Sequence, residues 1–126
     1  RKWVIFGGNL LTALACLALA LSPAPGVWTG TLLLAAIGLF GATFALVVAR
    51  ARAFVPPHLI GRGITLINLF SILGAAAAQF VTGPLFAAVR AANPDPAAAF
   101  GAIFLAFGLS ILAGLAVYLW ARDRTD

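Results

Sequence analysis

The sequence contains no methionine and no glutamate, and its three acidic residues face eight lysines and arginines. Charged residues make up 9% of the 126 positions, whereas hydrophobic residues make up 63%, and the mean hydropathy is +1.11. A chain of this length has too little polar surface to cover a water-soluble globule. The composition therefore predicts an integral membrane protein in contact with a lipid bilayer.

Groups that could react or bind a metal are scarce. The single cysteine, Cys16, lies in an apolar run, and the single histidine, His58, lies in a proline-broken loop. The acidic residues occupy turns or the tail, at Asp95, Asp123 and Asp126. Nothing resembles a nucleophile elbow, a metal-ligand cluster or a phosphate-binding loop. We therefore expect no catalytic residues, no cofactor and no metal site, and we do not expect the protein to be an enzyme.

Four long runs without a charged residue occupy most of the chain. They cover residues 3–22, 28–49, 63–89 and 97–121. A helix needs about 20 apolar residues to cross the roughly 30 Å hydrocarbon core of a bilayer. The sequence therefore predicts an all-α membrane protein in which residues 1–126 form a single membrane domain of four transmembrane helices.

Turns and one basic loop separate these runs. Residues 22–27 and 90–96 are rich in proline and are predicted to be short turns. Residues 50–62 form a basic loop that two consecutive prolines interrupt. The third run is longer than the bilayer requires, so its helix is predicted to tilt or bend, with Pro84 as the expected kink.

Lysine and arginine are distributed unequally between the two ends of these spans. When four spans alternate, seven of the eight fall on one side, namely Arg1, Lys2, Arg50, Arg52, Arg62, Arg122 and Arg124. The positive-inside rule then predicts that both termini and loop 50–62 are cytoplasmic. We expect the membrane to be a bacterial plasma (inner) membrane. Arg50, Arg52 and Arg62 are interpreted as topology signals, with contact to anionic lipid or a cytoplasmic gate as the alternative. Nucleic acid is not an expected partner.

The third run has a stripe of polar and small residues on one side. The stripe comprises Asn68, Ser71, Ala75, Gln79 and Thr82. At 100° per residue these positions fall within about 60° of Asn68, whereas Ala77 and Phe80 lie on a mostly bulky apolar opposite face. Lipid cannot satisfy amide groups, so the stripe is predicted to face a substrate pathway or an opposing half of the protein. The alternative is hydrogen bonding between neighbouring helices, worth about 0.6 kcal/mol per contact.

The second run has small residues at spacings of three and four, which places them on one face of a helix. They are Thr31, Ala35, Gly38, Ala42, Ala45 and Ala49. Another helix can approach such a face closely.

The order of these segments resembles a known family. A small-residue helix, a basic loop ending in PPHLIGRG and a long helix reading TLINLFSILGAAAAQFVTGPLF resemble the carboxy-terminal half of a major facilitator superfamily transporter, as its helices nine to twelve. The resemblance implies two six-helix halves built from inverted repeats, with substrate bound between them near the midplane.

The resemblance also assigns roles to the spans. The second span, with Thr31 and Gly38, would line the substrate cavity, and the third would meet the other half, while the first and fourth would be outer supports. The chain starts with arginine and contains no methionine, so we expect a fragment whose partner is an amino-terminal half. The implied function is secondary active transport of a small solute by alternating access, with the substrate unspecified.

Two other functions remain open at this point. The chain could be a complete four-helix exporter of the small multidrug type, or a non-transporting four-span scaffold or accessory subunit. The exporter family has a membrane-embedded glutamate in its first helix, where this sequence offers Asn9 and Thr12.

The charge distribution predicts which segments are reachable from outside the cell. With Cys16 replaced by alanine, single cysteines at Ala24 and Asn93 should react with an impermeant thiol reagent added outside, and a cysteine at His58 should not. Labelling of intact cells measures this, and reaction at His58 alone would mean the opposite orientation.

Overall fold

The computed structural model describes residues 2–22 and 25–121, and the described chain is all-α. Its helices are α1 (Lys2–Leu21), α2 (Val27–Gly41), α3 (Phe44–Ala51), α4 (Ile60–Ala92) and α5 (Pro96–Leu119). Two short 3-10 helices, Arg52–Phe54 and Pro57–Leu59, join α3 to α4. Four helical segments are long and apolar enough to cross a membrane, which confirms the four predicted spans. They are Lys2–Leu21, Val27–Phe54, Pro57–Ala92 and Pro96–Leu119.

The buried core lies between the first and last helices. α1 packs along α5, α2 packs on the other side of α1, and α4 packs on α5. The buried apolar residues all belong to α1 and α5: Ile5, Ala13, Ala15, Cys16, Leu19, Ala99 and Leu115. Within the described chain no residue of α2, α3 or α4 is buried. The two helices to which the resemblance assigned outer positions therefore form the centre of this four-span unit.

Glycine allows α1 and α5 to approach closely. A Cβ atom added at Gly108 would lie 2.9 Å from Cδ2 of Leu17, and one added at Gly101 would lie 3.2 Å from the carbonyl oxygen of Ala20. Helices in lipid gain little from the hydrophobic effect when they associate, because lipid tails are as apolar as leucine. Close van der Waals contact therefore holds this pair together, and the two glycines make that contact possible.

The second span runs over Val27–Phe54 and contains a local turn that the sequence did not predict. α2 ends at Gly41, and the chain turns at Ala42 and Thr43 before α3 begins. The backbone N–H of Thr43 donates to the carbonyl of Phe40 at 3.1 Å, and the Thr43 hydroxyl donates to the same carbonyl at 2.8 Å. Ala42 and Thr43 keep helical φ and ψ angles, and the Thr43 hydroxyl competes for a helical carbonyl, so the helix is locally tightened at this turn.

The basic loop predicted over residues 50–62 is mostly helical. Arg50 belongs to α3, Arg52 begins a 3-10 helix and Arg62 lies in the first turn of α4. The extended backbone is confined to Val55 and Pro56, because a residue before proline is driven out of the helical region. Pro57 then starts the next helical turn, where its missing N–H is not needed.

α4 is longer than predicted and continues through its proline. Its 33 residues include Pro84 and correspond to about 50 Å at 1.5 Å per residue. This length exceeds the bilayer core by roughly 20 Å. The helix therefore extends beyond the hydrocarbon region or tilts within it.

The contact between α1 and the turn in the second span gives a stability prediction. A Cβ atom at Gly8 would lie 2.2 Å from Cγ2 of Thr43, whereas one at Gly7 would meet nothing within 4 Å. Gly8→Ala should lower the free energy of unfolding by about 1–3 kcal/mol through overpacking. Gly7→Ala is the matched control and should have no destabilising effect. Thermal unfolding in detergent measures both, and equal midpoints would contradict the close contact.

Candidate functional site

The stripe predicted on the third span lies on α4, beside the face that packs on α5. Ser71 and Thr82 are half-buried, whereas Asn68, Ala75 and Gln79 are exposed. The Ser71 hydroxyl donates to the carbonyl of Ile67 at 2.8 Å, and the Thr82 hydroxyl donates to that of Gln79 at 3.2 Å. Both hydroxyls are thus satisfied within α4.

The two amide side chains of the stripe, unlike its two hydroxyls, have no hydrogen bond within the described chain. Among the described residues, the side chains of Asn68 and Gln79 have no hydrogen-bond partner. They are 11 positions apart, which is about 16 Å along the helix. The alternative requires Gln79 to hydrogen-bond a neighbouring helix of this unit. Within residues 2–22 and 25–121 it makes no such bond.

The candidates on the second span also lie on an uncovered face. Thr31 and Gly38 are exposed, and so are the four alanines of the same small-residue face. The Thr31 hydroxyl donates to the carbonyl of Val27 at 2.7 Å, and a Cβ atom at Gly38 would meet nothing within 4 Å. α2 contacts α1 through other positions, so these four helices leave the small-residue face available.

A second cluster, which the sequence did not predict, lies where α3 and α5 end. Nη1 of Arg50 donates to the hydroxyl of Tyr118 at 2.8 Å. The Arg50 guanidinium carbon lies 5.3 Å from the ring centroid of Tyr118 and 5.8 Å from that of Phe54, at distances typical of cation–π contacts.

Lys2 joins α1 to the same cluster. Its Nζ donates to the carbonyls of Leu119 at 2.9 Å and of Ala121 at 2.5 Å. Carbonyls at the end of a helix have no helical partner and bear a partial negative charge, which a cation stabilises. Lys2 and Arg50 thus contact the consecutive residues Leu119 and Tyr118. We call this end of the protein, defined by Lys2, Arg50, Tyr118 and Leu119, the basic end.

Two clefts open beside the basic end. One of about 180 Å³ is lined by Ile5, Asn9, Val47, Ile111, Gly114, Leu115 and Tyr118. The other, of about 400 Å³, is lined by Val4, Ile5, Leu46, Ala49 and Arg50. The amide of Asn9 donates to the carbonyl of Ile5 at 2.8 Å. The walls of both clefts are therefore mainly apolar, with Asn9 and Tyr118 as polar residues of the smaller cleft and Arg50 as that of the larger.

The remaining sequence candidates are separate from this cluster. Arg52, His58 and Arg62 are exposed, and Arg62 borders a shallow cleft formed by α4 alone. In the described ranges, no group of three or more histidine, cysteine or acidic residues lies close enough to hold a metal ion. The structure thus offers one polar stripe, one small-residue face and one basic end.

The bond between Arg50 and Tyr118 gives a second stability prediction. Tyr118→Phe removes the hydroxyl but keeps the ring, so it should lower the free energy of unfolding by about 0.5–1.5 kcal/mol. Trp120→Phe is the control, since Trp120 is 87% exposed at the same end. Denaturant unfolding in detergent measures both changes. Equal effects from the two substitutions would show that the hydroxyl contributes nothing.

Comparison of this chain with protein-family models, with curated proteins and with solved structures gave no match.

Proposed function

We propose that this chain is part of a secondary transporter that moves a small solute across a membrane by alternating access. In this proposal α4 and the second span, α2 with α3, border the solute pathway, and an opposing set of helices completes it. The major facilitator superfamily arrangement is the specific form we favour, because the order of segments in the sequence resembles its carboxy-terminal half.

The observation that supports this function best is that the amide side chains of Asn68 and Gln79 are exposed and make no hydrogen bond within the part of the chain that the structure describes. Both side chains are exposed on α4 and have no partner among the described residues. Transfer of an amide from water to an apolar medium without a hydrogen bond costs roughly 2–7 kcal/mol. Two such residues on one face are therefore unfavourable against lipid, and they favour water, a polar solute or another polar helix.

The burial pattern supports the same assignment. α1 and α5 contain the buried core, while α2 and α4 flank them with their candidate faces exposed. A self-contained four-span scaffold would be expected to turn its amides toward its own core. Here the polar stripe and the small-residue face are instead available for further helices and for a pathway between them.

Alternating access predicts a particular labelling pattern on α4. Ala75 lies within the stripe and Ala77 lies about 180° from Asn68, on the opposite face. Both are exposed alanines near the middle of α4, so Ala75→Cys and Ala77→Cys form a matched pair. In the intact transporter lacking Cys16, the cysteine at 75 should react with an impermeant thiol reagent added to either side of the membrane.

The control and the contrary outcomes separate the candidate functions. The cysteine at 77 should be protected from both sides, because its face contacts lipid or other apolar helices. Reaction at 75 from one side only would indicate a fixed aqueous cavity, and protection from both sides would indicate a protein contact. Either result would contradict the proposed role of the stripe in a pathway that opens alternately.

A further inference from the structure

We propose that the groove between α1 and α3 at the basic end binds one anionic glycerophospholipid. One acyl chain would lie along the apolar wall formed by Val4, Ile5, Leu46 and Ala49, and the phosphate would lie against Arg50 and Lys2. This site is separate from the α4 stripe and shares only Ala49 with the small-residue face of the second span, so lipid binding can be tested without the proposed transport function.

The groove has the form that an acyl chain requires. Its volume is about 400 Å³, and four of its five lining residues are apolar. Val4 is 60% exposed and Leu46 is 44% exposed, so the groove is open at the surface of this four-span unit. Ala49 is also exposed and has a small side chain, which leaves space between α1 and α3. An acyl chain can enter from the bilayer without displacing protein.

The charges at the end of this groove match an anionic headgroup. Arg50 lines the groove and is oriented by the Tyr118 hydroxyl, and Lys2 contacts the neighbouring residue Leu119. A guanidinium presents its N–H groups in a planar fork that fits phosphate oxygens, and an ammonium adds a second positive charge. Asp95, the one acidic residue of the described ranges, lies at the opposite end of α5. The basic end therefore complements an anion.

Along both α1 and α3, a charged residue at the basic end lies within one turn of apolar residues of the groove. This arrangement favours a lipid over free phosphate as the bound anion. Lys2 begins α1, and Val4 and Ile5 follow within one turn, while Leu46 lies one turn before Arg50 on α3. Charge at the membrane surface is thus followed directly by an apolar wall at greater depth. Basic pockets of this kind between transmembrane helices suit anionic headgroups of the cytoplasmic leaflet.

Arg62 and Arg90 do not lie beside an apolar groove between two helices of the described chain, so they provide controls. Arg90 donates through Nη1 to the carbonyl of Pro94, within its own turn at the opposite end. The cleft beside Arg62 is lined by residues of α4 alone, so no second helix forms a wall there. A general attraction of anionic lipid to arginine would treat these positions alike, whereas the proposed site requires Arg50 together with the groove.

Lipid titration of the full chain in a zwitterionic detergent tests the proposal. Native mass spectrometry should detect one tightly retained phosphatidylglycerol, and phosphatidylcholine should not compete for it. Arg50→Gln should weaken phosphatidylglycerol binding at least about tenfold, by loss of a charge-assisted contact. Arg90→Gln removes the same charge at the other end and should leave the affinity unchanged.

A second variant tests the groove without changing any charge. Ala49→Phe fills the apolar wall at an exposed position, so the protein should fold even if Arg50→Gln does not. It should also weaken phosphatidylglycerol binding at least about tenfold while Lys2 and Arg50 are kept. Unchanged binding by Ala49→Phe would overturn the proposal in favour of surface electrostatics. Stabilisation by inorganic phosphate equal to that by phosphatidylglycerol would overturn it in favour of a free-anion site.

Discussion

Lipid offers no hydrogen-bond partner, and this constraint explains how most polar groups in the described chain are arranged. The backbone satisfies itself by forming helices almost throughout. Hydroxyl groups within the spans donate to carbonyls one turn earlier, as Thr12 does to Gly8 and Ser110 to Ala106. Asn9 uses the same device on α1. Asn68 and Gln79 do not, and their amides have no hydrogen-bond partner among the described residues.

The packing of the four spans follows from the same solvent. Because hydrophobic burial contributes little between helices in lipid, association depends on close contact at small residues. Gly8, Gly101 and Gly108 supply that contact for α1 and its neighbours. The small residues of α2 and the stripe of α4 remain outside it. The unit thus has a packed centre and two flanking spans whose small-residue and polar faces are exposed.

The basic end connects three of the four spans. Lys2 of α1 and Arg50 of α3 contact adjacent residues at the end of α5, so these helix ends are held together by charge-assisted and aromatic contacts. The turn at Ala42 and Thr43 lies between this anchored end and the rest of the second span. The anchoring also creates the groove between α1 and α3, where apolar surface and positive charge lie side by side.

The sequence alone determined the membrane class, the four spans and the periodicity of the α4 stripe, because these follow from local hydrophobicity and helical geometry. It did not reveal the close approach of Thr43 to Gly8, which joins residues 35 positions apart. It also did not reveal the bond between Arg50 and Tyr118, which are 68 positions apart. Only the tertiary structure decided which helices form the core and which faces stay exposed, because helix pairing depends on shape and small-residue contact between distant segments.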